Sequence, residues 1–263
     1  MDHHIRTIVI AAAIGAIAFI AGLATAPRQA AAPGTEALPS GAGLPAGAFV
    51  IPMDIVSIHE QASTSPTVMI EYPRFPTLSA DLNSQIASTT LNGLADFRRM
   101  VAENDAARRA TGRGYPPAPL SSMSDYSFLA SWQPVQANSR YVSFIERYDS
   151  FSGGANENQT LQTFNYDVQA KKVIGLDDLL KSYLDYLSKI SSIARERLDA
   201  SLSVASDGHV PTQMIAAGTA PDPANFQYFT FTDSAITFYF PKYAVAPGVF
   251  GEQHVTIPFS DIK

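Results

Sequence analysis

The stretch "YVSFIERYDSFSGGANENQTLQTFNYD", residues 141–167, decides the fold. In its first half, Val142 and Phe144 lie on one face and alternate with their neighbours. In its second half, Phe164 and Tyr166 do the same. A period of two predicts half-buried β-strands. The double glycine between them supplies the positive φ that a tight connection needs. We therefore predict an antiparallel hairpin, with the glycines in a turn and not in a catalytic loop.

Outward from this hairpin, two stretches have the three- to five-residue spacing of apolar residues that is typical of one helical face. The first covers residues 79–110, with Ser79 as its expected N-cap. The second covers residues 176–202, with Asp177 as its expected N-cap. The predicted buried residues are Leu82, Ile86, Leu91, Leu94, Phe97 and Val101 in the first, and Leu180, Tyr183, Leu184, Leu187, Ile190, Ala194 and Leu198 in the second.

Short alternating runs predict the remaining strands, and residues 203–225 are predicted to be a long surface loop because they lack a periodic pattern. The predicted fold class is α+β: antiparallel sheets, each packed by a long helix, preceded by an N-terminal transmembrane or signal helix. The other predicted strands are residues 53–61, 67–73 (ended by Pro73), 124–134, 226–231, 235–240 and 255–257. The predicted segments are 1–27 (membrane anchor or signal peptide), 28–48 (flexible linker), 49–150 (N-terminal α+β unit) and 151–263 (C-terminal α+β unit).

The N-terminal segment predicts the localisation. Residues 7–27 carry no charge, and a helix over residues 8–26 would be about 28 Å long, close to the hydrocarbon thickness of a bilayer. One interpretation is an uncleaved, single-pass anchor in the cell membrane of a bacterium, with the C-terminal domain extracytoplasmic. The other is a signal peptide cut after Ala24 or Ala26, which would leave a secreted protein.

Composition excludes several classes of function. The chain of 263 residues has no cysteine, which excludes disulfides, thiolate metal sites and cysteine nucleophiles. The net charge is −6 and no basic stripe is visible, so we expect no nucleic-acid partner. Beyond the N-terminal segment the histidines are His59, His209 and His254, and none has the His-Glu-x-x-His spacing of a zinc site. We expect no metal and no cofactor.

Two stretches carry a resemblance to a known family. They are "SGGANENQTLQTFNYDVQAKKVIGLDDLL", residues 152–180, and "FTFTDSAITFYFPKYAVAPGVFGEQHVTIPFSDI", residues 229–262. Both resemble the extracellular domain of RsiV-type lysozyme-sensing anti-sigma factors, which also accompanies PdaC-type peptidoglycan deacetylases. "TVMIEYPRFPTLSADLNSQI", residues 67–86, is similar to the smaller N-terminal unit that usually precedes this domain. Together the resemblance covers roughly residues 53–263.

The resemblance implies a noncatalytic, extracytoplasmic module that binds or senses a ligand on the cell envelope, either a lysozyme-like protein or a cell-wall glycan. We expect neither a sigma-factor-binding segment nor a deacetylase domain in this chain. A histidine commonly follows Gly-Gly-Ala in the family, whereas this sequence has Asn156. Two alternatives stay open, an enzyme acting on cell-wall polymers and a purely structural envelope protein.

The candidate ligand-binding residues lie around two of these motifs. Tyr243, Pro247 and Phe250 precede the last strand, and we predict either an exposed contact or a rigid plug under a helix. Glu252 and His254 follow, and their catalytic use with a further carboxylate is the mechanism that the enzyme alternative requires. Asn156 completes the set of candidate residues. No residue is predicted to be catalytic.

Overall fold

The structure is a computed structural model that describes residues 51–62, 65–111, 126–153, 156–205 and 208–263. The predicted anchor (1–27) and linker (28–48) lie outside these residues. Within the described ranges, no helix is both apolar enough and long enough to cross a bilayer. The described chain forms two compact units, which divide between Ile174 and Gly175.

The first unit contains a six-stranded sheet, with strands in chain order, and one long helix. Strands β4 (Tyr141–Phe151) and β5 (Asn158–Asp167) pair antiparallel from Tyr141 opposite Asp167 to Ser150 opposite Asn158. Gly153 in their connection has a φ of 88°, so the predicted hairpin and its glycine turn are confirmed. The elements are β1 (Asp54–Ala62), β2 (Ser65–Arg74), α1 (Ala80–Thr111), β3 (Ser127–Ala137), β4 (Tyr141–Phe151), β5 (Asn158–Asp167) and β6 (Lys172–Val173).

One pair of strands in this sheet is parallel. Residues 67–70 of β2 lie beside residues 127–130 of β3, so the prediction of purely antiparallel sheets is wrong at this point. The reason is topological: α1 carries the chain across the sheet, and such a crossover returns the next strand in the same direction. Pro73 does not end β2, because it lies beyond the parallel ladder, where its missing N–H breaks no bond to β3.

Helix α1 lies on one face of the sheet. Ser79 Oγ accepts a hydrogen bond from the backbone N–H of Leu82 at 3.2 Å, so the predicted N-cap is confirmed. Leu91 was predicted to be buried but is 40% exposed, and Thr90 takes the buried position instead. The buried residues of the helix face are Leu82, Ile86, Thr90, Leu94, Phe97 and Val101.

The second unit packs one helix of 20 residues and several shorter helices around a three-stranded antiparallel sheet, whose central strand is Ala235–Phe240. The hairpin around residues 232–234 is confirmed, and Phe238 in its second strand is fully buried. The elements are α2 (Leu176–Leu180), α3 (Tyr186–Ala205), α4 (Thr212–Gly218), β7 (Phe229–Phe231), β8 (Ala235–Phe240), β9 (Gln253–Pro258) and α5 (Phe259–Ile262), with short 3-10 turns at Pro223–Phe226 and Gly248–Phe250.

The predicted helix over residues 176–202 is two helices. The first of them ends at Leu180, and Asp185, directly before the second, has a left-handed φ of 54° that cannot continue a right-handed helix. Leu184, predicted to be buried, is therefore 89% exposed. The N-cap of α2 is Gly175, not Asp177, because the carboxylate of Asp178 accepts the N–H of Gly175 at 3.1 Å.

Two further expectations differ from the structure. Residues 203–225 are not one loop, since they contain α4, whose Ile215 is fully buried. The predicted division of the globular part at residues 150 and 151 lies inside the first sheet. β5 pairs with β4, and β6 pairs with β5, which carries the first unit to Ile174.

Candidate functional site

The segment between β8 and β9, residues 241–252, is the candidate binding site, and we refer to it as the Tyr243 loop. Backbone hydrogen bonds close three tight turns within it: Ala244 N–H to Pro241 O, Phe250 N–H to Pro247 O, and Gly251 N–H to Gly248 O. The side-chain amide of Gln253 also donates to the carbonyls of Phe250 and Glu252, at 2.7 and 3.0 Å. These bonds give the loop a defined shape without a ligand.

The middle of the loop anchors it to the second unit. Val245 and Ala246 are buried, which is the behaviour expected of a plug. The backbone of Ala244 lies against Gly218 at the end of α4, and a Cβ built on Gly218 would come within 2.3 Å of the Ala244 carbonyl oxygen. Only a residue without a side chain permits this approach, so the helix end and the loop are packed in direct backbone contact.

Tyr243 projects outward from this anchor. Its φ of 74° is left-handed, which is a true outlier for a bulky side chain. Its side chain remains 61% exposed, with the ring against Gly248 and the Lys242 ammonium 5.6 Å from the ring centroid. A strained backbone that holds an exposed ring points to a role for that ring, because its own burial does not repay the strain.

Other apolar side chains of the loop extend this surface. Pro247 is exposed, Val249 is 73% exposed, and Phe250 is half-buried. The loop therefore contains both features that were left open as alternatives, a buried anchor at residues 245–246 and an exposed apolar surface around Tyr243. Val249 was not singled out from the sequence, although its position beside Gly248 in the turn was visible there.

The remaining candidate residues lie at different places. Glu252 is half-buried at the end of the loop, and His254 is exposed on β9, with its ring centroid 6.2 Å from that of Tyr239. Asn156 is exposed in the β4–β5 connection of the first unit, so it belongs to a different unit from the other five residues. Among the described residues, no group of three or more His, Asp or Glu side chains could hold a metal ion.

Sequence reasoning missed a buried polar cluster in the first unit, formed by Thr90 on α1 and by Glu146 and Tyr148 on β4. We refer to it as the Glu146 cluster. Glu146 is 1% exposed, and its Oε2 lies 3.1 Å from the Thr90 hydroxyl and accepts a hydrogen bond from the Tyr148 hydroxyl. The signal was visible in the sequence, because Glu146 continues the buried alternation of Val142 and Phe144.

Burial dominates the electrostatics of this cluster. It raises the pKa of Glu146 from 4.5 to about 7, although the hydrogen bonds from Tyr148 and Thr90 act in the opposite direction. Burial also raises the pKa of Tyr148, and the nearby Glu146 charge adds to the effect. The pKa of Tyr72 is raised by the same two causes. Glu146 is therefore protonated at mildly acidic pH and ionises around neutral pH.

Comparison with known families identifies the second unit. Residues 177–260 match the model of a family described as a protein of unknown function, DUF3298. This segment is a DUF3298 domain. The Tyr243 loop lies inside it. The predicted resemblance to the domain that accompanies PdaC-type deacetylases is confirmed.

Two curated proteins are similar to parts of the chain. The peptidoglycan-N-acetylmuramic acid deacetylase PdaC of Bacillus subtilis is 36% identical over 122 residues, which cover 46% of this chain and 25% of PdaC. The esterase Rv3036c of Mycobacterium tuberculosis is 27% identical over 133 residues, which cover 51% of this chain and 54% of the esterase. The chain thus matches a quarter of one relative and about half of the other.

Solved structures of the DUF3298 family share the fold. A member from Bacteroides fragilis superimposes with a TM-score of 0.54 at 17% identity, covering 81% of this chain and 92% of that protein. A member from Pseudomonas aeruginosa gives a TM-score of 0.50 at 16% identity, covering 81% of this chain and 93% of its own. The likeness therefore extends beyond the DUF3298 domain into the first unit.

Proposed function

We propose that this protein is a noncatalytic recognition module of the bacterial cell envelope, which binds the glycan of peptidoglycan through the Tyr243 loop. The observation that carries the proposal is the exposed Tyr243 ring, held by a left-handed backbone and by contact with Gly248. An aromatic ring fixed before binding loses little conformational entropy when a ligand covers it.

The chemistry of the loop suits a sugar chain. The faces of pyranose rings are lined with C–H groups, which pack favourably on the electron-rich face of an aromatic ring. Pro247 and Val249 add exposed apolar area, and the Lys242 ammonium beside Tyr243 provides a partner for a carboxylate on the stem peptide. These groups favour contact and orientation over bond-making.

The named relative supports the choice of glycan over protein. PdaC acts, by its name, on N-acetylmuramic acid in peptidoglycan, and a quarter of its length is similar to this chain. The predicted anchor or signal segment would place the domain where the cell wall is accessible. A lysozyme-like protein is the competing ligand, and the experiment below separates the two.

The test is retention of the purified full chain, in mild detergent, on insoluble peptidoglycan. We expect binding by the natural protein and at least a tenfold loss of affinity for Tyr243→Ala. Leu184→Ala is the matched control, because Leu184 is also a large exposed side chain of the second unit but lies outside the loop. Equal retention of both variants would contradict the site. Retention on immobilised lysozyme but not on peptidoglycan would contradict the ligand.

A catalytic role is the second candidate, because both curated relatives have the names of enzymes. It would use Glu252 and His254, with His254 as the general base on the exposed surface of β9. Incubating peptidoglycan and a chromogenic acetyl ester with the protein tests it. Product formation that disappears in His254→Ala would favour the enzyme over the recognition module.

A further inference from the structure

We infer that the Glu146 cluster is a pH-sensitive contact between α1 and the sheet of the first unit. It holds the helix on the sheet while Glu146 is protonated, and it loosens when Glu146 ionises. This device is separate from the Tyr243 loop and does not depend on the function proposed for it.

The Thr90 hydroxyl has two possible acceptors for its single proton. Thr90 Oγ1 lies 3.1 Å from Glu146 Oε2 and 3.2 Å from the backbone carbonyl of Ile86, but a hydroxyl has one proton to donate. If Glu146 carries a proton on Oε2, that proton is donated to Thr90 Oγ1, and Thr90 donates to Ile86. The Tyr148 hydroxyl donates to Oε2 in either state. Every donor of the cluster therefore has an acceptor in the neutral acid, as it also has when Glu146 is ionised, so the difference between the two states lies at the other oxygen, Oε1.

The ionised form of Glu146 lacks a hydrogen bond at one of its two carboxylate oxygens. Glu146 Oε1 is buried and has no hydrogen-bond partner. In a neutral acid this atom is a carbonyl oxygen, whose desolvation costs little compared with that of a carboxylate oxygen carrying half of a negative charge. The direction of the Glu146 pKa, raised to about 7 by burial, agrees with this count of bonds.

Among the residues that the structure describes, no basic side chain contacts Glu146. Trp132 of β3 and Gln162 of β5 lie directly opposite Glu146 in the strand register, and neither is charged. The ionisable neighbours on this face are Tyr148 of β4 and Tyr72 of β2, both of which add negative charge if they ionise. The described ion pair on the same side of the sheet, Arg98 with Glu60, joins α1 to β1 and is neutral as a pair.

The position of the cluster determines what ionisation does. Thr90 is a fully buried polar residue of α1, and around it the helix contacts the sheet through the apolar residues Ile86 and Leu94. A carboxylate formed in that interface regains its hydration only if α1 moves away from β4. The equilibrium between the closed and locally open forms of the first unit therefore shifts toward opening as the pH rises.

Hydrogen exchange of the full chain tests this inference. The readout is the exchange rate of the α1 amides near Ile86 and Leu94, measured at pH 5 and pH 8 for the natural protein and for Glu146→Gln. Taking the ratio of the two proteins at each pH cancels the intrinsic pH dependence of exchange. We expect the natural protein to open more often, relative to Glu146→Gln, by roughly a hundredfold between the two pH values. If the ratio of the two exchange rates is the same at pH 5 and pH 8, the inference is wrong.

Two further measurements keep the test decisive. Glu71→Gln is the matched control, because Glu71 lies in β2 on the opposite side from Tyr72, and it should leave the ratio unchanged. If Glu146→Gln does not fold, the carboxyl carbon of Glu146 can be titrated by NMR in the natural protein. A transition near pH 7 supports the inference, whereas one near pH 4.5 refutes it.

Discussion

Gly248 lies directly against the ring of Tyr243, and a Cβ built on Gly248 would come within 2.3 Å of the ring's Cζ. No ordinary side-chain contact is this short, so the ring can occupy its position only because residue 248 has no side chain. The exposed tyrosine and the glycine are therefore one unit of structure, although four residues separate them in the chain.

The first prediction follows from this contact. Gly248→Ala should displace the Tyr243 ring and reduce binding to peptidoglycan by at least tenfold, while the rest of the domain remains folded. Retention on insoluble peptidoglycan measures the loss, and far-UV circular dichroism checks the fold. If Gly248→Ala binds as well as the natural protein, the orientation of the ring does not matter for recognition.

The second prediction concerns the packing of the loop on α4. Gly218→Ala should destabilise the second unit by about 1–3 kcal/mol, because the new methyl group would overlap the Ala244 carbonyl oxygen and the side chain of Val245. Urea denaturation followed by tyrosine fluorescence measures the change. Gly208→Ala serves as a comparison, because its Cβ would meet no atom within 4 Å and only its φ of 85° opposes the substitution.

The third prediction is a stabilising change. Gly93 lies within α1, and a Cβ there would be 3.4 Å from the Phe128 ring, which is close to ordinary contact. Replacing glycine by alanine in a helix interior typically stabilises by about 0.5–1 kcal/mol. We expect Gly93→Ala to raise the melting temperature of the first unit without changing binding to peptidoglycan. A lower melting temperature would indicate that Phe128 cannot adjust.

The fourth prediction is the pH dependence of stability that Glu146 causes. Its folded-state pKa is raised, so its contribution is complete below pH 4.5 and is lost as the pH rises toward about 7. The free energy of unfolding of the first unit should fall by up to about 1.4 kcal/mol per pH unit in this window. Denaturation at several pH values measures the slope, which Glu146→Gln should flatten. A parallel slope in both proteins would assign it to other groups.

The fifth prediction isolates one hydrogen bond of the cluster. The bond from Tyr148 lowers the pKa of Glu146, in opposition to burial. Tyr148→Phe should therefore raise that pKa above about 7, and NMR titration of the carboxyl carbon would detect it. Tyr183→Phe, in the second unit, is the control and should leave it unchanged. A pKa that falls in Tyr148→Phe would mean that removal of the hydroxyl admits water.

Periodicity predicted the elements that depend on local pattern. The strands predicted from the alternation in residues 141–167 and the helix predicted from the apolar stripe of α1 are both present. Burial departs from the pattern at Ser143 and Ile145, which are buried on the other face of β4, and at Leu91, which is exposed. Periodicity also failed at Leu184, whose apolar spacing continues through a break that ends at the left-handed Asp185. Nothing in the letters of that stretch marks Asp185 as different from the other aspartates.

The site was only partly accessible from the sequence, for a related reason. Tyr243 and Pro247 could be selected because a motif places them together in one short loop. The Glu146 cluster joins residues that are 56 positions apart, Thr90 and Glu146, and pairing between a helix and a distant strand leaves no local signature. A charged residue inside an apolar alternation was the one available sign.

The parallel pairing of β2 with β3 has a consequence for the order of folding. The β1–β2 hairpin and the meander from β3 to β6 each form from neighbouring segments. The parallel register that joins β2 to β3 comprises four residue pairs, and the chain must pass through α1 before these strands can meet. Closing so long a connection costs conformational entropy, and this cost slows the formation of the pairing. The pairing of β2 with β3 should therefore form last in the first unit, and α1 is the helix that connects the two strands.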